Sequence, residues 1–175
     1  LLGRFNAATM LACLAVLCAN GVALGDAARV LGKIQPARGR MQRIGSSLEP
    51  LVVVDYAHTP DALEKALATL AEIRPAGGKL FCVFGCGGDR DKGKRPLMGE
   101  IAERIADVAV VTSDNPRSEA PAAIVADIVA GMQAPGHVEI DRAAAIHWAV
   151  ANARVGDVIL IAGKGHEDYQ DIAGV

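Results

Sequence analysis

Apolar positions after residue 50 form short continuous runs that are separated by longer amphipathic segments. The runs cover residues 51–55, 80–84, 108–112, 138–140 and 158–162 and show no period of two. This pattern predicts strands of a parallel sheet that is buried on both faces. The segments between them carry apolar residues at helical spacing and predict helices over 61–73, 94–105, 121–132 and 143–153. Strand–helix alternation of this kind predicts an α/β fold, a Rossmann-like, mostly parallel sheet with helices on both faces.

A different pattern precedes these repeats. Helices are predicted over about 7–20, where Asn20 and Gly21 end the apolar run, and over about 26–31. Residues 35–40 contain Pro and Gly among polar side chains and predict a linker, after which residues 41–44 form a short edge strand. We therefore expect a helical tail over 1–35 and a second domain over 36–175. The chain begins without Met and in the middle of a sequence pattern, so we expect it to be a fragment of a longer protein.

The amino-acid composition argues against several classes of function. The net charge is −2 and only 3% of the residues are aromatic, which argues against a nucleic-acid surface. The four cysteines lie in apolar runs without Cys-x-x-Cys or zinc spacing, as expected for reduced core thiols in a cytoplasmic protein. The apolar run over 7–19 is shorter than the roughly 20 residues of a membrane span, and no signal peptide is apparent. We therefore expect no nucleic-acid partner, no membrane contact and no metal ligands in this chain.

Candidate chemistry follows the carboxyl ends of four predicted strands. These polar stretches cover residues 55–61, 85–95, 114–117 and 163–168. In open parallel sheets, ligands bind just beyond the carboxyl ends of the strands. The four stretches are therefore predicted to meet at one edge of the sheet.

The sequence Asp114-Asn115-Pro116-Arg117 is the most specific of the four. A guanidinium can bind a carboxylate through two hydrogen bonds, and a carboxylate can bind an ammonium group, so this set suits the zwitterionic end of an amino acid. A plain strand-to-helix turn, with Pro121 starting the next helix, is the alternative.

The other three stretches each leave an alternative open. Residues 85–95 are rich in glycine and positive charge, which fits a phosphate cradle or a flexible charged loop, and no P-loop sequence is present. Gly163 and Gly165 allow a close backbone approach and Glu167 could receive an ammonium group, but a tight turn has the same composition. Asp55 and His58 fit acid–base chemistry, metal binding or, more commonly, a strand-end cap.

Taken in order, the motifs at 55–61, 85–96, 114–117 and 163–170 resemble the C-terminal part of the Mur ligase family, most closely its diaminopimelate-adding members. The segment Leu2-Gly3-Arg4-Phe5-Asn6 resembles the family segment that closes the central ATP-binding domain, although Thr9 stands where the family has Asn. The resemblance implies that residues 1–35 end the central domain. Residues 36–175 would then be the C-terminal amino-acid-binding domain, incomplete at its end.

The resemblance also implies a set of site residues. The meso-diaminopimelate pocket would contain Arg90, Asp114, Asn115, Pro116, Arg117, Gly163 and Glu167. Asn6, Arg40, Asp55 and His58 would face ATP, with catalytic roles for Arg40 and His58. Arg117 is expected to discriminate against lysine, which lacks the distal carboxylate.

The implied reaction is the ATP-dependent addition of meso-2,6-diaminopimelate to UDP-N-acetylmuramoyl-L-alanyl-D-glutamate, through an acyl phosphate, in peptidoglycan synthesis. Mg²⁺ ligands and the P-loop would lie in the central domain, so this chain alone is expected to be inactive. A monomer that binds only small molecules is expected. Two alternatives remain open: a lysine-adding or folylpolyglutamate-type ligase, and a non-catalytic α/β binding module.

Overall fold

The computed structural model describes residues 3–46 and 48–173, without the side chains of Arg4 and Phe5. Leu2, which begins the segment resembling the central domain, and the last two residues of the second predicted domain lie outside the described residues. Cα proximity divides the chain after Ala37 into two compact units. The assignment of these parts to two ligase domains stays a prediction.

The first unit contains two helices, α1 (Arg4–Ala19) and α2 (Leu24–Leu31). Asn20 caps α1, and Gly21 then adopts a φ of 86°, a conformation that favours glycine. Within the described ranges, neither helix nor any other is long and apolar enough to cross a membrane.

The second unit is built on a six-stranded sheet. Its strands are β1 (Gln42–Ile44), β2 (Leu51–Asp55), β3 (Leu80–Phe84), β4 (Val108–Val111), β5 (His137–Val138) and β6 (Val158–Ala162). Their order across the sheet is β1-β2-β6-β3-β4-β5. The edge strand β1 pairs antiparallel with β2, and the remaining neighbours are parallel. The predicted mostly parallel sheet with an edge strand at its start is confirmed.

Four helices cover the two faces of this sheet: α3 (Pro60–Ile73), α4 (Lys94–Ile105), α5 (Pro121–Val129) and α6 (Arg142–Asn152). α3, α4 and α5 pack side by side, while Ala145 and Ala149 of α6 pack on Phe81 and Val83. Because alternate side chains of a strand point to opposite faces, the other β3 residues face away from α6. The predicted helices on both faces are therefore confirmed.

Several element ends differ from the sequence prediction by one to three residues, and α5 and β5 show the reasons most clearly. α5 ends at Val129 rather than residue 132, because Gly131 N donates to Ile128 O in a tighter turn. β5 lies at 137–138 rather than 138–140, because its partner β4 already ends at Val111. Ile140 O instead accepts a hydrogen bond from Ser113 N.

The position of β6 determines which loops meet. β6 lies between β2 and β3 in the sheet, although it comes last along the chain. The loop after β6 therefore emerges between the loops after β2 and β3, with the loop after β4 beside them. All four polar stretches consequently lie along the carboxyl edge of the sheet.

Candidate functional site

A cavity of about 480 Å³ opens at the carboxyl edge of the sheet. All four strand-end loops contribute to its wall. The lining residues are Tyr56, His58, Thr59, Gly85, Cys86, Gly87, Arg90, Asp91, Lys94, Asp114, Asn115, Arg117, Gly163 and Glu167. A volume of this size accommodates a small-molecule ligand.

The loop after β4 brings two buried polar residues and one arginine to the cavity. Asp114 and Asn115 are buried, and Asp114 Oδ1 accepts a hydrogen bond from Asn115 N over 2.7 Å. The Arg117 side chain is 27% exposed, and its Nη1 donates to Gly88 O over 2.9 Å. The short turn thereby orients a carboxylate, an amide and a guanidinium toward one space.

Gly163 allows Asp114 to approach the loop after β6. Gly163 has a φ of 111°, and a Cβ added there would lie 2.4 Å from Asp114 Oδ2. A side chain at this position would collide with the carboxylate as well as strain the backbone. Glycine is therefore required here, and it leaves Asp114 and Glu167 as two carboxylates on the same cavity.

Positive groups line the same cavity. Arg90 is exposed and Arg117 is half-buried, while Lys94 Nζ donates to His58 O over 2.8 Å at the start of α4. Carboxylates and guanidinium groups are thus present within one small space. A ligand that carries both an ammonium and a carboxylate group can be bound by such a set.

His58 and Arg40 are arranged around Tyr56. His58 Nδ1 lies 2.8 Å from Tyr56 O, and because a carbonyl only accepts, Nδ1 carries a hydrogen in this contact. The Arg40 guanidinium stacks over the Tyr56 ring at 4.6 Å from its centroid. The stacking leaves the in-plane N–H groups of Arg40 available to an anion.

Asp55 has the geometry of a strand-end cap. Asp55 Oδ2 accepts a hydrogen bond from Met41 N at 2.8 Å, and Oδ1 accepts one from Ala57 N at 2.9 Å. The carboxylate therefore fixes the backbone next to Arg40 and His58. Nucleotide contact by Asp55 itself stays a prediction.

The structure brings together most of the residues that the sequence singled out for the amino-acid pocket. Arg90, Asp114, Asn115, Arg117, Gly163 and Glu167 all line the cavity, and His58 joins them. Pro116 does not line it, since its carbonyl faces Gly88 instead. Arg40 and Asp55 are not among the residues that line the cavity, and Asn6 belongs to the first unit. The ligand roles of all these residues stay predictions.

Several residues at this edge were not found from the sequence. Tyr56 and Lys94 line the cavity, and the buried Arg142 donates to Ser113 O and Ala162 O, tying the ends of β4 and β6 together. Lys164 Nζ points inward and donates to Asn115 Oδ1 and Tyr169 O. Tyr56 and Lys94 fell within the polar stretches at 55–61 and 85–95 without being singled out, whereas no local feature of the sequence marked Arg142.

Neither a thiol nucleophile nor a metal centre is supported here. Burial raises the pKa of Cys86 to about 11, so this cavity-lining thiol stays protonated at neutral pH. All four cysteines are free, Cys82 and Cys86 buried, Cys13 and Cys18 half-buried. Within residues 3–46 and 48–173, no group of three His, Cys, Asp or Glu side chains could hold a metal ion.

Comparison with protein-family models identifies the unit that carries the cavity. The model described as "Mur ligase, glutamate ligase domain" matches residues 39–165. This chain belongs to the Mur ligase family. The match covers all of the cavity-lining residues except Glu167, and it agrees with the resemblance found in the motifs.

Two relatives of this Mur ligase chain have the same name. It is 77% identical to a UDP-N-acetylmuramoyl-L-alanyl-D-glutamate–2,6-diaminopimelate ligase of Chromobacterium violaceum, covering 100% of the chain and 36% of the relative. Identity to the Pseudomonas aeruginosa protein of the same name is 58%, again over 100% of the chain and 36% of the relative. The chain thus spans about a third of the length of these relatives.

Solved structures support the same family. A structure of a UDP-N-acetylmuramoyl-L-alanyl-D-glutamate–2,6-diaminopimelate ligase matches with a TM-score of 0.76 and 47% identity, covering 100% of this chain and 36% of that one. A UDP-N-acetylmuramate-alanine ligase from Thermotoga maritima has a TM-score of 0.71 at 20% identity, over 96% of this chain and 36% of that one. The second likeness concerns the fold alone.

Proposed function

We propose that this chain supplies the amino-acid-binding part of a ligase that adds meso-2,6-diaminopimelate to UDP-N-acetylmuramoyl-L-alanyl-D-glutamate. One observation carries the proposal: Arg90, Arg117, Asp114 and Glu167 line a single cavity of about 480 Å³. Diaminopimelate carries an ammonium and a carboxylate at each end. Two guanidinium groups and two carboxylates match it in number and sign.

ATP and Mg²⁺ belong to the proposed reaction. ATP supplies the phosphoryl group that activates the acceptor carboxylate. The exposed Arg40 guanidinium, stacked on Tyr56, fits contact with a phosphate oxygen. The Mg²⁺ ligands are assigned to the central domain.

The contribution of this chain to catalysis is positioning. Asp114 and Glu167 bind ammonium, and Arg117 and Arg90 bind carboxylate, so the reacting amine is held in one orientation. The reacting ammonium group first loses a proton to water, and the free amine then forms the C–N bond to the activated carbonyl while phosphate leaves. Arg40 stabilises negative charge on the leaving phosphate. The described residues contain no P-loop sequence, and we expect the 175-residue chain alone to form no product.

The function is tested in a chimera in which residues 1–175 replace the corresponding segment of the Chromobacterium violaceum relative. We expect ATP-dependent product formation with meso-diaminopimelate, and far weaker use of lysine or glutamate, as followed by mass spectrometry. Preference for glutamate would favour a folylpolyglutamate-type ligase. A folded chimera that uses none of the three amino acids would support a non-catalytic module and refute the proposal.

Arg117→Ala in the chimera tests the substrate assignment. Without the guanidinium, the distal carboxylate has no partner, and we expect kcat/KM for meso-diaminopimelate to fall by about 10²- to 10⁴-fold while lysine use changes little. The control is Arg104→Ala, since Arg104 pairs with Glu64 on the helices outside the cavity. Unchanged kcat/KM for diaminopimelate in the Arg117 variant would remove the assignment.

A further inference from the structure

Lys164 lies directly behind the cavity without lining it. Only 10% of its side chain is exposed, and it follows Gly163, which does line the cavity. Its Nζ donates to Asn115 Oδ1 over 2.6 Å and to Tyr169 O over 2.5 Å. The same Nζ lies 3.6 Å from Glu167 Oε2, so this buried ammonium group is committed to three protein oxygens, one of them charged, rather than to a ligand.

This contact determines the orientation of the Asn115 amide. An ammonium group can only donate hydrogen bonds, so the amide must present its oxygen to Lys164. Its Nδ2 then faces Glu167 and donates to Oε2 over 3.1 Å. Lys164 therefore orients Glu167, a carboxylate that lines the cavity, in two ways: through the Asn115 amide and through its own ion pair at 3.6 Å.

Residues 169–173, here called the 169–173 segment, also hold the loop after β4 in place. Gln170 Nε2 donates to Asp114 O over 2.7 Å, and Asp171 N donates to Asn115 Oδ1 over 3.0 Å. Asn115 Oδ1 thus accepts from both Lys164 and this segment. The segment fixes the backbone and the amide of the loop after β4.

The same segment holds Arg117 in an uncommon backbone conformation. Arg117 has a φ of 50°, which non-glycine residues adopt only when surrounding contacts hold them there. Arg117 N donates to Asp171 O over 2.9 Å, and Ala173 N donates to Arg117 O over 2.8 Å. Both backbone groups of the residue are therefore bound by the 169–173 segment, which directs its side chain toward the cavity.

We propose that Lys164 and the 169–173 segment are positioning elements that set the orientation of Asn115, Glu167 and Arg117 for the amino-acid substrate. This inference rests on the proposed function, because it names what holds the pocket in shape. Neither element needs to touch the substrate. Outer contacts of this kind lock the rotamers of the residues that bind the ligand.

The test uses Lys164→Met in the same chimera, because methionine keeps the length of the side chain and removes its donor. We expect KM for meso-diaminopimelate to rise about 10-fold or more, the range typical of losing an outer partner of a binding residue. KM for ATP should stay within about twofold. The matched control is Lys65→Met, since Lys65 pairs with Asp61 on the exposed face of α3.

A double-mutant cycle separates positioning from a general structural role. Because Lys164 acts through Asn115 as well as directly on Glu167, adding Lys164→Met to Asn115→Ala should raise KM for diaminopimelate by clearly less than Lys164→Met does alone. Multiplied effects of the two substitutions would overturn the proposal. So would a Lys164→Met enzyme whose KM values for ATP and diaminopimelate rise together.

A second variant covers the case in which Lys164→Met fails to fold. Gln170→Leu removes the donor to Asp114 O at a half-buried position, and we expect the same selective rise in KM for diaminopimelate. An unchanged KM in this variant would overturn the role of the 169–173 segment. Failure of the proposed function is distinguishable, because the unsubstituted chimera would then form no diaminopimelate product.

Discussion

Arg95 is a fully buried charge that connects α4 to the wall of the cavity. Its guanidinium donates to both oxygens of Glu119, over 3.0 and 2.8 Å, and to Asp127 Oδ2 over 2.8 Å. Glu119 Oε1 also accepts a hydrogen bond from Asp89 N, in the loop that follows β3. Since removing one partner of such a pair leaves a buried charge uncompensated, Glu119 is needed for both the helix and the loop.

Glu119 makes a testable contribution to the pH dependence of stability. Its hydrogen bonds from Arg95, Asp89 and Lys92 lower its pKa from 4.5 to about 2. A carboxyl whose pKa is lowered by folding stabilises the protein fully above the unfolded value and loses that contribution as the pH falls toward the folded value. The stabilisation by Glu119 should therefore disappear between about pH 4.5 and pH 2.

Urea unfolding of the wild-type chain and of Glu119→Gln between pH 7 and pH 2 measures this effect. Glu119→Gln should be less stable than wild type at pH 7, and the difference in the free energy of unfolding should narrow as the pH falls through this window. A difference that stays constant over the whole range would show that it does not arise from the ionised Glu119 side chain.

The packing of α4 on α5 depends on glycine. A Cβ added at Gly99 of α4 would lie 2.3 Å from Ile128 O and 2.9 Å from Met132 Cγ. The backbone carbonyl cannot move without shifting α5. The absence of a side chain therefore sets the distance between these helices.

Gly99→Ala should consequently destabilise the second unit, although alanine favours helices. Overpacking at a backbone contact costs about 1–3 kcal/mol, more than the gain in helix propensity, and thermal unfolding followed by circular dichroism measures it. Gly25→Ala is the matched control, because no atom lies within 4 Å of its added Cβ in α2. If Gly99→Ala is as stable as wild type, α5 can move away from α4 without a loss of stability.

Helices and strands were largely predictable from the sequence, and the reasons are local. The continuous apolar runs of β2, β3 and β6 agree with the structure residue for residue, and α4 begins and ends as expected. The end of α5 was not predictable, because it depends on Gly131 packing against Pro96 of another helix. Periodicity carries no information about such tertiary contacts.

For the whole molecule, the meeting of the four loops was predictable, but the detailed arrangement of the site was not. Parallel strands place their carboxyl ends at one edge, so Asp114, Gly163 and Glu167 were expected together. The insertion of β6 between β2 and β3 leaves no trace in the local sequence. The contact of Lys164 with Asn115, 49 positions away, likewise depends on folded geometry.

The division after Ala37 predicts that the second unit folds without the first. Arg38–Val175 contains all six strands and the buried core of the sheet, whereas the preceding unit consists of α1 and α2. A domain with its own core folds independently when few contacts cross its boundary. A chain starting at Arg38 should therefore unfold cooperatively, with a Tm within about 5 °C of the full chain.

Differential scanning calorimetry of the full chain and of the shortened chain provides the measurement. A further chain starting at Leu51 is the control, because it also lacks β1 and removes Met41 N, the donor to Asp55 Oδ2. Loss of that strand should lower the Tm clearly, since the edge of β2 and the carboxylate of Asp55 both lose their partners. If the chain starting at Arg38 were unfolded while the full chain melts cooperatively, the helices of the first unit would be part of the stable core.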